Sequence, residues 1–370
     1  MKTIAAVLEA AGQDWEVAEL DLDGPGENEL LIEFVASGIC HSDESVRNGS
    51  ISSRMRFPIV GGHEGAGIVR DVGRGVRGIR EGDHVVCAFR PSCGRCEYCA
   101  AGKSYLCDES ANSLTGTLPG GGFRFHRGGV DYGANSMLGT FSRFSVVSDA
   151  SCIVVDDDIP LETLAVLGCA VPTGWGAAVN AARVAPGDVV VVIGAGGVGL
   201  NACQGALHAG AAEIVVVDPV EAKVAAAPLF GATSGFTTTE EALAHVSSLR
   251  QGGADHVILS AGVPGLAEAG QAMLRKGGVL TIAALGSPSR FRLDLPLAPF
   301  VMQNQTIRGS TIGTSNVRSD IHRLIELYRS GRLKLDELVT RTYRIDEIDA
   351  GFDDMLAGRN LRGLILHGDG

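Results

Sequence analysis

Four cysteines lie close together in the sequence at a spacing that suits a metal ion. Cys93, Cys96, Cys99 and Cys107 follow the pattern C-x2-C-x2-C-x7-C. Four thiolates on so short a segment can surround one Zn²⁺, which is normally four-coordinate in structural sites. Two disulfide bonds are the alternative, but cysteines three residues apart rarely pair, and nothing else in the sequence indicates an oxidising compartment. The spacing therefore predicts a structural zinc site.

Three other residues are candidates for a second metal site, one that could do chemistry. Cys40, His63 and Cys169 each have a glycine within two residues in the sequence. Two thiolates, one imidazole and one open position form a Lewis-acid centre of the kind found in catalytic zinc sites. A buried thiol or a core histidine is the alternative at each position, and the spacing alone leaves that alternative open.

A glycine-rich turn predicts a dinucleotide site in the second half of the chain. The apolar run Val189–Ile193 leads into a G-x-G-x-x-G pattern. Such glycines permit a tight turn, let the backbone approach a pyrophosphate and allow close helix–strand packing. The free N–H groups at the start of the following helix then point at the phosphates. The residues expected to bind the cofactor here are Gly194, Gly196, Gly197, Val198 and Gly199.

An acidic residue after the next strand-like run favours NAD over NADP. Asp218 stands at the end of that run, where a carboxylate accepts hydrogen bonds from the adenosine ribose and repels a 2′-phosphate. Lys223 is a candidate for a further contact to the ribose. The alternative for Lys223 is a solvated lysine on a helix.

The predicted secondary structure that must position these residues changes near Pro186, from strands alone to alternating strands and helices. Before it, short apolar or alternating runs between glycines and prolines predict strands: Leu30–Val35, Gly67–Val72, Asp83–Cys87 and Ser151–Val155. After it, strands alternate with helices, which predicts a parallel sheet covered by helices on both faces. The predicted strands are Asp188–Ile193, Glu213–Val217, His256–Leu259 and Val279–Ile282, and the predicted helices are Gly197–Ala209 and Val220–Phe230.

The last part of the chain is expected to return to the first domain. It carries two amphipathic helical patterns, Val317–Arg329 and Ile345–Leu356, and a strand-like run, Leu361–His367. The Gly/Arg-rich stretch Gly120–Gly133 is predicted to be a mobile loop.

Length and composition set the limits of the function. A chain of 370 residues predicts two domains. The formal charge of −12 and the absence of a basic cluster argue against nucleic acid and membrane surfaces as partners. The N-terminal stretch lacks the apolar core of a signal peptide, and no apolar run reaches the roughly 18 residues of a membrane span. Nine cysteines in such a sequence predict thiols and metal ligands in the cytoplasm.

Several motifs together resemble one known family. They are G-H-E-G-A-G at residues 62–67, G-D-H-V at 82–85, L-G-T-F-S at 138–142, the four-cysteine segment and the glycine turn. The chain resembles the zinc-dependent medium-chain alcohol dehydrogenases over nearly its whole length. V-P-T-G-W-G at 171–176, Q-G-A at 204–206 and V-D-P-V-E at 217–221 are most similar to the nicotinoprotein, nitrosoaniline-dependent (mycofactocin-linked) group.

The resemblance implies an α/β protein of two domains. A GroES-like, β-rich catalytic domain would comprise residues 1–171 and 312–370 and carry the structural-zinc lobe. A Rossmann domain with a doubly wound parallel sheet would bind NAD at residues 172–311.

The resemblance also implies a role for each residue near the second metal site. Cys40, His63 and Cys169 would hold a catalytic zinc, so that each chain would bind two Zn²⁺. Glu64 would be an alternate ligand, or else a nearby carboxylate with no direct role. Asp43 would hold the ring of His63 and make it a better ligand.

Further residues are implied for proton transfer, cofactor and substrate. Ser42 would receive the proton of the alcohol, but Ser45 stands where many relatives have the histidine that passes the proton on, so the end of the relay is unassigned. The remaining residues are His41 and Arg362 at the cofactor pyrophosphate, Thr173 near the nicotinamide, and Phe89, Met137 and Leu138 as walls of the substrate pocket.

The implied reaction is hydride transfer between a primary or secondary alcohol and NAD, which yields an aldehyde or a ketone. In the leading variant NAD stays bound and an external electron acceptor reoxidises it. The alternatives are a dehydrogenase with exchangeable NAD, a thiol-dependent formaldehyde dehydrogenase, and a zinc-stabilised protein that binds NAD without turnover. A homo-oligomer is expected, a dimer before a tetramer. The sequence does not indicate which alcohol is used or in which direction.

Overall fold

The computed structural model describes residues 1–51, 55–249 and 252–368. Its residues form two compact units. Unit 1 comprises Met1–Cys169, Asn316–Tyr328 and Leu335–Gly370, and unit 2 comprises Ala170–Ser315 and Arg329–Lys334. The domain boundaries expected from the sequence, 171/172 and 311/312, stay a prediction.

The strands of the described residues are β1 (Lys2–Leu8), β2 (Glu16–Leu22), β3 (Glu29–Ile39), β4 (Ile59–Val60), β5 (Gly65–Val72), β6 (His84–Cys87), β7 (Phe125–Arg127), β8 (Val130–Ala134), β9 (Phe144–Ser148), β10 (Cys152–Val155), β11 (Val189–Ile193), β12 (Glu213–Val217), β13 (Ser234–Phe236), β14 (Ala254–Leu259), β15 (Leu274–Ile282), β16 (Thr306–Gly309), β17 (Val339–Arg344) and β18 (Arg362–Leu366).

The α-helices of the described residues are α1 (His41–Arg47), α2 (Glu97–Ala100), α3 (Leu161–Leu164), α4 (Ala170–Gly176), α5 (Gly197–Ala209), α6 (Glu221–Ala226), α7 (Thr239–Ser248), α8 (Leu266–Ala272), α9 (Leu297–Met302), α10 (Val317–Arg329) and α11 (Ile348–Leu356).

Unit 1 contains two sheets. A closed five-stranded sheet has the order β1-β2-β7-β8-β4, and a second sheet has the order β10-β6-β5-β3-β18-β17, with β9 also paired to β3. In β2 the apolar residues alternate with exposed polar ones, as expected for an antiparallel strand with one buried face.

The C-terminal strand does return to unit 1, as predicted. Strand β18 pairs antiparallel with β3, and Gly363 lies opposite Ile39. This register brings the start of β18 next to the residue that precedes Cys40 in the chain.

Unit 2 is built on the predicted parallel sheet, with the order β13-β12-β11-β14-β15-β16. The central strand β11 is almost wholly apolar and buried, because helices cover both faces of such a sheet. Helix α5 has the predicted bounds; it ends where Gly210 adopts φ 86°, the left-handed conformation that commonly terminates helices.

Three predicted elements differ from the structure. The helix predicted over Ile345–Leu356 begins as a 3₁₀ turn over Ile345–Glu347 and is an α-helix only in α11. The helix predicted over Val220–Phe230 is an α-helix only in α6 and continues as a 3₁₀ turn over Ala227–Phe230, because Pro228 has no N–H to donate. The loop predicted over Gly120–Gly133 contains the hairpin β7–β8, in which Phe125 pairs with Tyr132. Both aromatic side chains are buried. Their contact could not be inferred from the composition of the segment, which is rich in glycine and arginine.

Among the described residues, no single helix is long and apolar enough to cross a membrane. One bent pair of helices, Leu161–Gly168 with Ala170–Ala182, has sufficient length and apolar character when the two are taken together.

Candidate metal centres and dinucleotide site

The three residues predicted to hold a catalytic metal come together in unit 1. Cys40 lies between β3 and α1, His63 lies between β4 and β5, and Cys169 follows a 3₁₀ turn, Ala165–Gly168. All three are buried, and their ligand atoms lie within 4.8 Å of one another. The pairing of β3 with β5, which sets Ser37 opposite Gly65, brings the first two residues together from distant parts of the sequence.

The hydrogen bonds of His63 leave one ring nitrogen available as a ligand. Nδ1 lies 2.8 Å from Asp43 Oδ1. A carboxylate can only accept, so the ring donates from Nδ1, and in the neutral ring the lone pair is then on Nε2. Nε2 is buried and has no hydrogen-bond partner among the described residues. A buried lone pair beside two thiols fits a metal ion better than an apolar core.

The electrostatics of the three residues favour a thiolate at Cys40. Its hydrogen bond with Cys169 holds the pKa of Cys40 well below its usual range, and the positive charge of Arg362 contributes in the same direction. The same thiol–thiolate contact raises the pKa of Cys169. Metal ligation requires thiolates, so the donor set is partly prepared for a cation.

Glu64 and Arg362 form a buried ion pair next to this site. Arg362 Nε lies 2.9 Å from Glu64 Oε1, and the terminal nitrogen Nη2 contacts the same oxygen. Burial raises the pKa of Glu64, although Arg362 opposes the shift. A Cβ atom at Gly38 would lie 1.8 Å from Glu64 Oε1, so glycine is needed there. The expected contact of Arg362 with a pyrophosphate stays a prediction.

The hydroxyl residues of helix α1 have different surroundings. Ser42 is half-buried in the first turn of the helix, and His41 before it is exposed. Ser45 Oγ donates to the backbone oxygen of His41 at 3.0 Å. Ser45 therefore binds its own helix, and the residue that ends a proton relay is still unassigned.

Of the three predicted pocket walls, Phe89 contacts the candidate ligands. Its ring packs edge-on against His63, with the centroids 5.8 Å apart. Met137 belongs to the core of the closed sheet, and Leu138 belongs to the core of the second sheet. Their roles in substrate binding stay predictions.

Asn135 was missed at the sequence level. Its side chain is buried, and its Nδ2 donates to Asp43 Oδ1 at 2.9 Å. Nothing in its residue type indicates this role; its position just before the L-G-T-F-S motif was the only available signal.

The four predicted cysteine ligands also cluster. Their Sγ atoms lie within 4.8 Å of one another, with 3.9 Å between Cys93 and Cys99 and 4.0 Å between Cys96 and Cys107. A tetrahedral Zn–S bond of about 2.3 Å requires S···S distances of about 3.8 Å. Backbone N–H groups, first that of Asp108, lower the pKa of Cys96 to about 7. The donor set therefore fits a zinc ion.

The glycine turn in unit 2 has the geometry that the pattern predicts. Gly194 adopts φ 100°, and a Cβ atom at Gly199 would lie 1.7 Å from Gly194 O. A Cβ atom at Gly196 would meet nothing within 4 Å, so the space beside it is open to a ligand. Gly197 and Val198 begin helix α5.

Asp218 supports this turn through two hydrogen bonds to the backbone. Its Oδ2 accepts from Ala195 N at 2.8 Å and its Oδ1 from Val220 N at 3.0 Å. Each oxygen keeps a lone pair for a ribose hydroxyl. Elsewhere in unit 2, Thr173 is buried with its hydroxyl unpartnered among the described residues, and Lys223 is half-buried on α6.

Comparison with known proteins identifies the family. Residues 26–157 match the alcohol dehydrogenase GroES-like domain, and residues 197–330 match the zinc-binding dehydrogenase family. The chain is 48% identical to an NDMA-dependent alcohol dehydrogenase of Amycolatopsis methanolica, over 99% of both chains. It is 34% identical to an S-(hydroxymethyl)glutathione dehydrogenase of Komagataella pastoris, over 99% of this chain and 97% of the relative.

The fold agrees with solved structures of such enzymes. The crystal structure of benzyl alcohol dehydrogenase from Acinetobacter calcoaceticus superposes with a TM-score of 0.92 at 29% identity, over 100% of both chains. Together with the paired GroES-like and zinc-binding dehydrogenase matches, this shows that the chain belongs to the zinc-dependent medium-chain alcohol dehydrogenases.

Proposed function

We propose that this protein oxidises a primary or secondary alcohol with an NAD molecule that stays bound between turnovers. The observation that carries the chemistry is the buried group of Cys40, His63 and Cys169, in which Nε2 of His63 has no hydrogen-bond partner within the described residues. Retained NAD is favoured by the 48% identity to an NDMA-dependent relative. NDMA is a nitrosoaniline, and such a compound acts as an external electron acceptor.

The metal would be held by Cys40, His63 and Cys169, with Glu64 as an alternate ligand. Zinc bound there supplies a Lewis acid that lowers the pKa of an alcohol hydroxyl. Asp43 fixes the ring of His63, and the ring of Phe89 packs against it. Ser42 would accept the alcohol proton.

The cofactor would be NAD at the glycine turn. NAD supplies the hydride acceptor for the reaction. Gly194, Gly196 and Gly199 let the backbone and the start of α5 bind the pyrophosphate, and Asp218 would bind the adenosine ribose. We place Lys223, His41, Thr173 and Arg362 in the same binding function.

The second zinc would be structural. Cys93, Cys96, Cys99 and Cys107 would hold it and stabilise their lobe. Such thiolate ligands need a reducing compartment, and on this ground we place the protein in the cytoplasm.

The content of the purified protein tests this proposal. After extensive dialysis the protein is denatured, and the released nucleotide and the metals are quantified. Nearly stoichiometric NAD and two zinc ions per chain are expected, with turnover that depends on an added nitrosoaniline. Nucleotide-free protein that turns over on added NAD⁺ would instead indicate exchangeable NAD. A single zinc, held by the four cysteines, in fully active protein would refute the zinc mechanism.

A second candidate is thiol-dependent oxidation of formaldehyde. It is favoured by the 34% identity to an S-(hydroxymethyl)glutathione dehydrogenase. The purified protein is assayed with formaldehyde in the presence and absence of glutathione. Formaldehyde oxidation that requires the thiol would support this candidate, and equal rates without the thiol would exclude it.

A further inference from the structure

One buried side chain with no role in the proposed reaction lies directly behind the His63 ligand. Asn135 is 3% exposed, and its Nδ2 donates to Asp43 Oδ1 at 2.9 Å. The same oxygen accepts from His63 Nδ1 at 2.8 Å. Asp43 is fully buried at 0% exposure, so it depends on protein groups for its hydrogen bonds.

The chemistry of these three groups fixes the direction of their hydrogen bonds. A carboxylate accepts only, whereas an amide has one donor end and one acceptor end. Asn135 must therefore turn Nδ2 toward Asp43, because its Oδ1 would face another acceptor. His63 must likewise carry a proton on Nδ1, so that the neutral ring has the lone pair of Nε2 for a metal.

The second donor also restricts how the carboxylate can move. With His63 as its sole partner, the Asp43 carboxylate could rotate about its Cβ–Cγ bond and still accept one hydrogen bond. A second donor on Oδ1 restrains this rotation, and Oδ2 has no partner among the described residues to do so. The orientation of the imidazole then follows from the position of Asn135.

The backbone around Asn135 is strained in a way that sets this position. Ser136 has φ 54° and Met137 has φ 63°, although neither is glycine. Such a left-handed conformation is costly for a residue other than glycine, and such strain is found preferentially at functional sites. The turn is closed by Leu138 N and Gly139 N, which donate to Asn135 O at 3.0 and 3.2 Å.

We propose that Asn135 is a positioning residue for the metal centre: it holds Asp43, and Asp43 holds the His63 ring with Nε2 toward Cys40 and Cys169. This inference rests on the metal site proposed above. The Asn135–Met137 turn would then hold the amide group of Asn135 at a fixed position behind His63.

The first test is metal retention. Wild type, Asn135→Leu and Ser145→Ala are loaded with Co²⁺, and transfer of each ion to a chelator is followed by its visible absorption. Ser145 is a matched control, since its Oγ makes a buried hydrogen bond to Leu138 O at 2.6 Å in the same segment. Asn135→Leu is expected to lose the ion held by Cys40, His63 and Cys169 about 10- to 100-fold faster, with the four-cysteine ion unaffected. Ser145→Ala should lower the melting temperature but retain both ions as wild type does.

Two results would overturn the inference. One is wild-type retention by Asn135→Leu, and the other is equal acceleration in Ser145→Ala, which would indicate general loosening of the segment. Wild type that binds one ion in place of two would refute the proposed metal site itself, so the two failures are distinguishable.

A double-mutant cycle provides a second test if Asn135→Leu does not fold. Asn135→Asp keeps the size of the side chain but turns an acceptor toward Oδ1 of Asp43, so it should shorten the retention of Co²⁺. In an Asp43→Ala background, where that oxygen is absent, adding Asn135→Asp is expected to change the retention much less than it does in wild type. Equal effects of Asn135→Asp in the two backgrounds would contradict an action through Asp43.

Discussion

At the scale of residues, the two metal sites use the same donor chemistry in different surroundings. The ligands Cys40, His63 and Cys169 are all buried, whereas among the four clustered cysteines only Cys107 is buried. A closed tetrahedron of thiolates serves stability, and a site with three protein ligands leaves a position for substrate. The same substitution should therefore have different consequences at the two sites.

Cys40→Ser is expected to remove one metal ion and reduce the activity at least about 1,000-fold, equivalent to about 4 kcal/mol in the activation free energy. The melting temperature should change little, because the four-cysteine site stays intact. Elemental analysis, steady-state rates and thermal unfolding measure these three effects.

Cys96→Ser is the matched substitution in the other site. It is expected to lower the melting temperature and to leave the remaining metal in place, because a structural zinc contributes folding free energy directly. Full activity of Cys40→Ser would contradict the catalytic role of the first site. An unchanged melting temperature of Cys96→Ser would contradict the structural role of the second.

At the scale of elements, the turn between β11 and α5 contains one glycine that packing requires and another that borders the space for a ligand. Gly199 must lack a Cβ atom because the chain itself approaches it, whereas the space beside Gly196 is empty of protein. The two glycines therefore have different physical reasons for being glycine. Asp218 ties this turn to the end of β12 by accepting from the backbone of Ala195.

Gly199→Ala is expected to destabilise the protein by about 1–3 kcal/mol, as overpacking does elsewhere, and to reduce the bound NAD as a consequence. Gly196→Ala should leave the unfolding free energy near that of wild type and still reduce the bound NAD, because its methyl group enters the ligand space. Denaturant unfolding and nucleotide content distinguish the two variants. Equal loss of stability in both variants would contradict the different reasons given for the two glycines.

The hairpin β7–β8 carries a pH-dependent contact. His126 lies 3.0 Å from Asp23 through Nε2 and 2.9 Å from Asp131 through Nδ1. Burial lowers the pKa of His126, but its hydrogen bonds to the two carboxylates outweigh burial and raise the pKa above the ordinary value of 6.5. A group with a raised pKa in the folded state stabilises below its unfolded pKa and loses that effect as the pH rises through the folded pKa.

His126→Gln should therefore be less stable than wild type by roughly 0.5–1 kcal/mol near pH 5.5, as for partly exposed ion pairs. The difference should disappear above the folded pKa, where His126 is neutral. Urea unfolding of both proteins across this pH range measures the effect. A difference that grows with rising pH would show that the charged form of His126 is not the stabilising one.

At the scale of the whole molecule, each compact unit contains its own ligand residues. Unit 1 holds both groups of metal ligands, and unit 2 holds the glycine turn and Asp218. Unit 1 is discontinuous in sequence, because the chain returns to it after Ser315 to add α10, α11 and strand β18. Arg362, which pairs with Glu64, is supplied by this return.

Unit 2 also exposes a surface suited to a second copy of the chain. Helix α9 presents Leu297, Val301 and Met302, which are 68, 69 and 83% exposed. Strand β16, which follows α9, lies at the edge of the parallel sheet and pairs only with β15 among the described strands. Exposed apolar groups and an open strand edge commonly mark association surfaces, so the expected homodimer would form here.

For the homodimer predicted at this surface, Val301→Glu is expected to shift the equilibrium toward monomer, because it puts a charge into an apolar contact. Leu229→Glu is the control, since Leu229 is also an exposed apolar residue of unit 2, at 50%, but belongs to a different element. Analytical ultracentrifugation over a range of concentrations measures the association. Equal behaviour of the two variants would place the dimer contact elsewhere.

Local patterns were enough to predict several elements of unit 2, although β13, β16 and the helices α7, α8 and α9 were not predicted. The glycine turn, the bounds of helix α5 and the parallel character of the sheet follow from the alternation of apolar runs and turn residues, which depends on neighbours in sequence. The grouping of Cys93, Cys96, Cys99 and Cys107 follows in the same way from short spacing. The hairpin β7–β8 was missed because two aromatic contacts decide it and composition does not.

The sequence by itself therefore determined the ligand types, the cofactor turn and the family resemblance. Only the tertiary structure decided which hydrogen bonds orient the ligands, because Asn135, Asp43 and His63 meet through contacts between distant segments. The pairing of Glu64 with Arg362 likewise depends on β18 lying beside β3. Such contacts depend on how strands pair and cores pack, and no local pattern of residues specifies them.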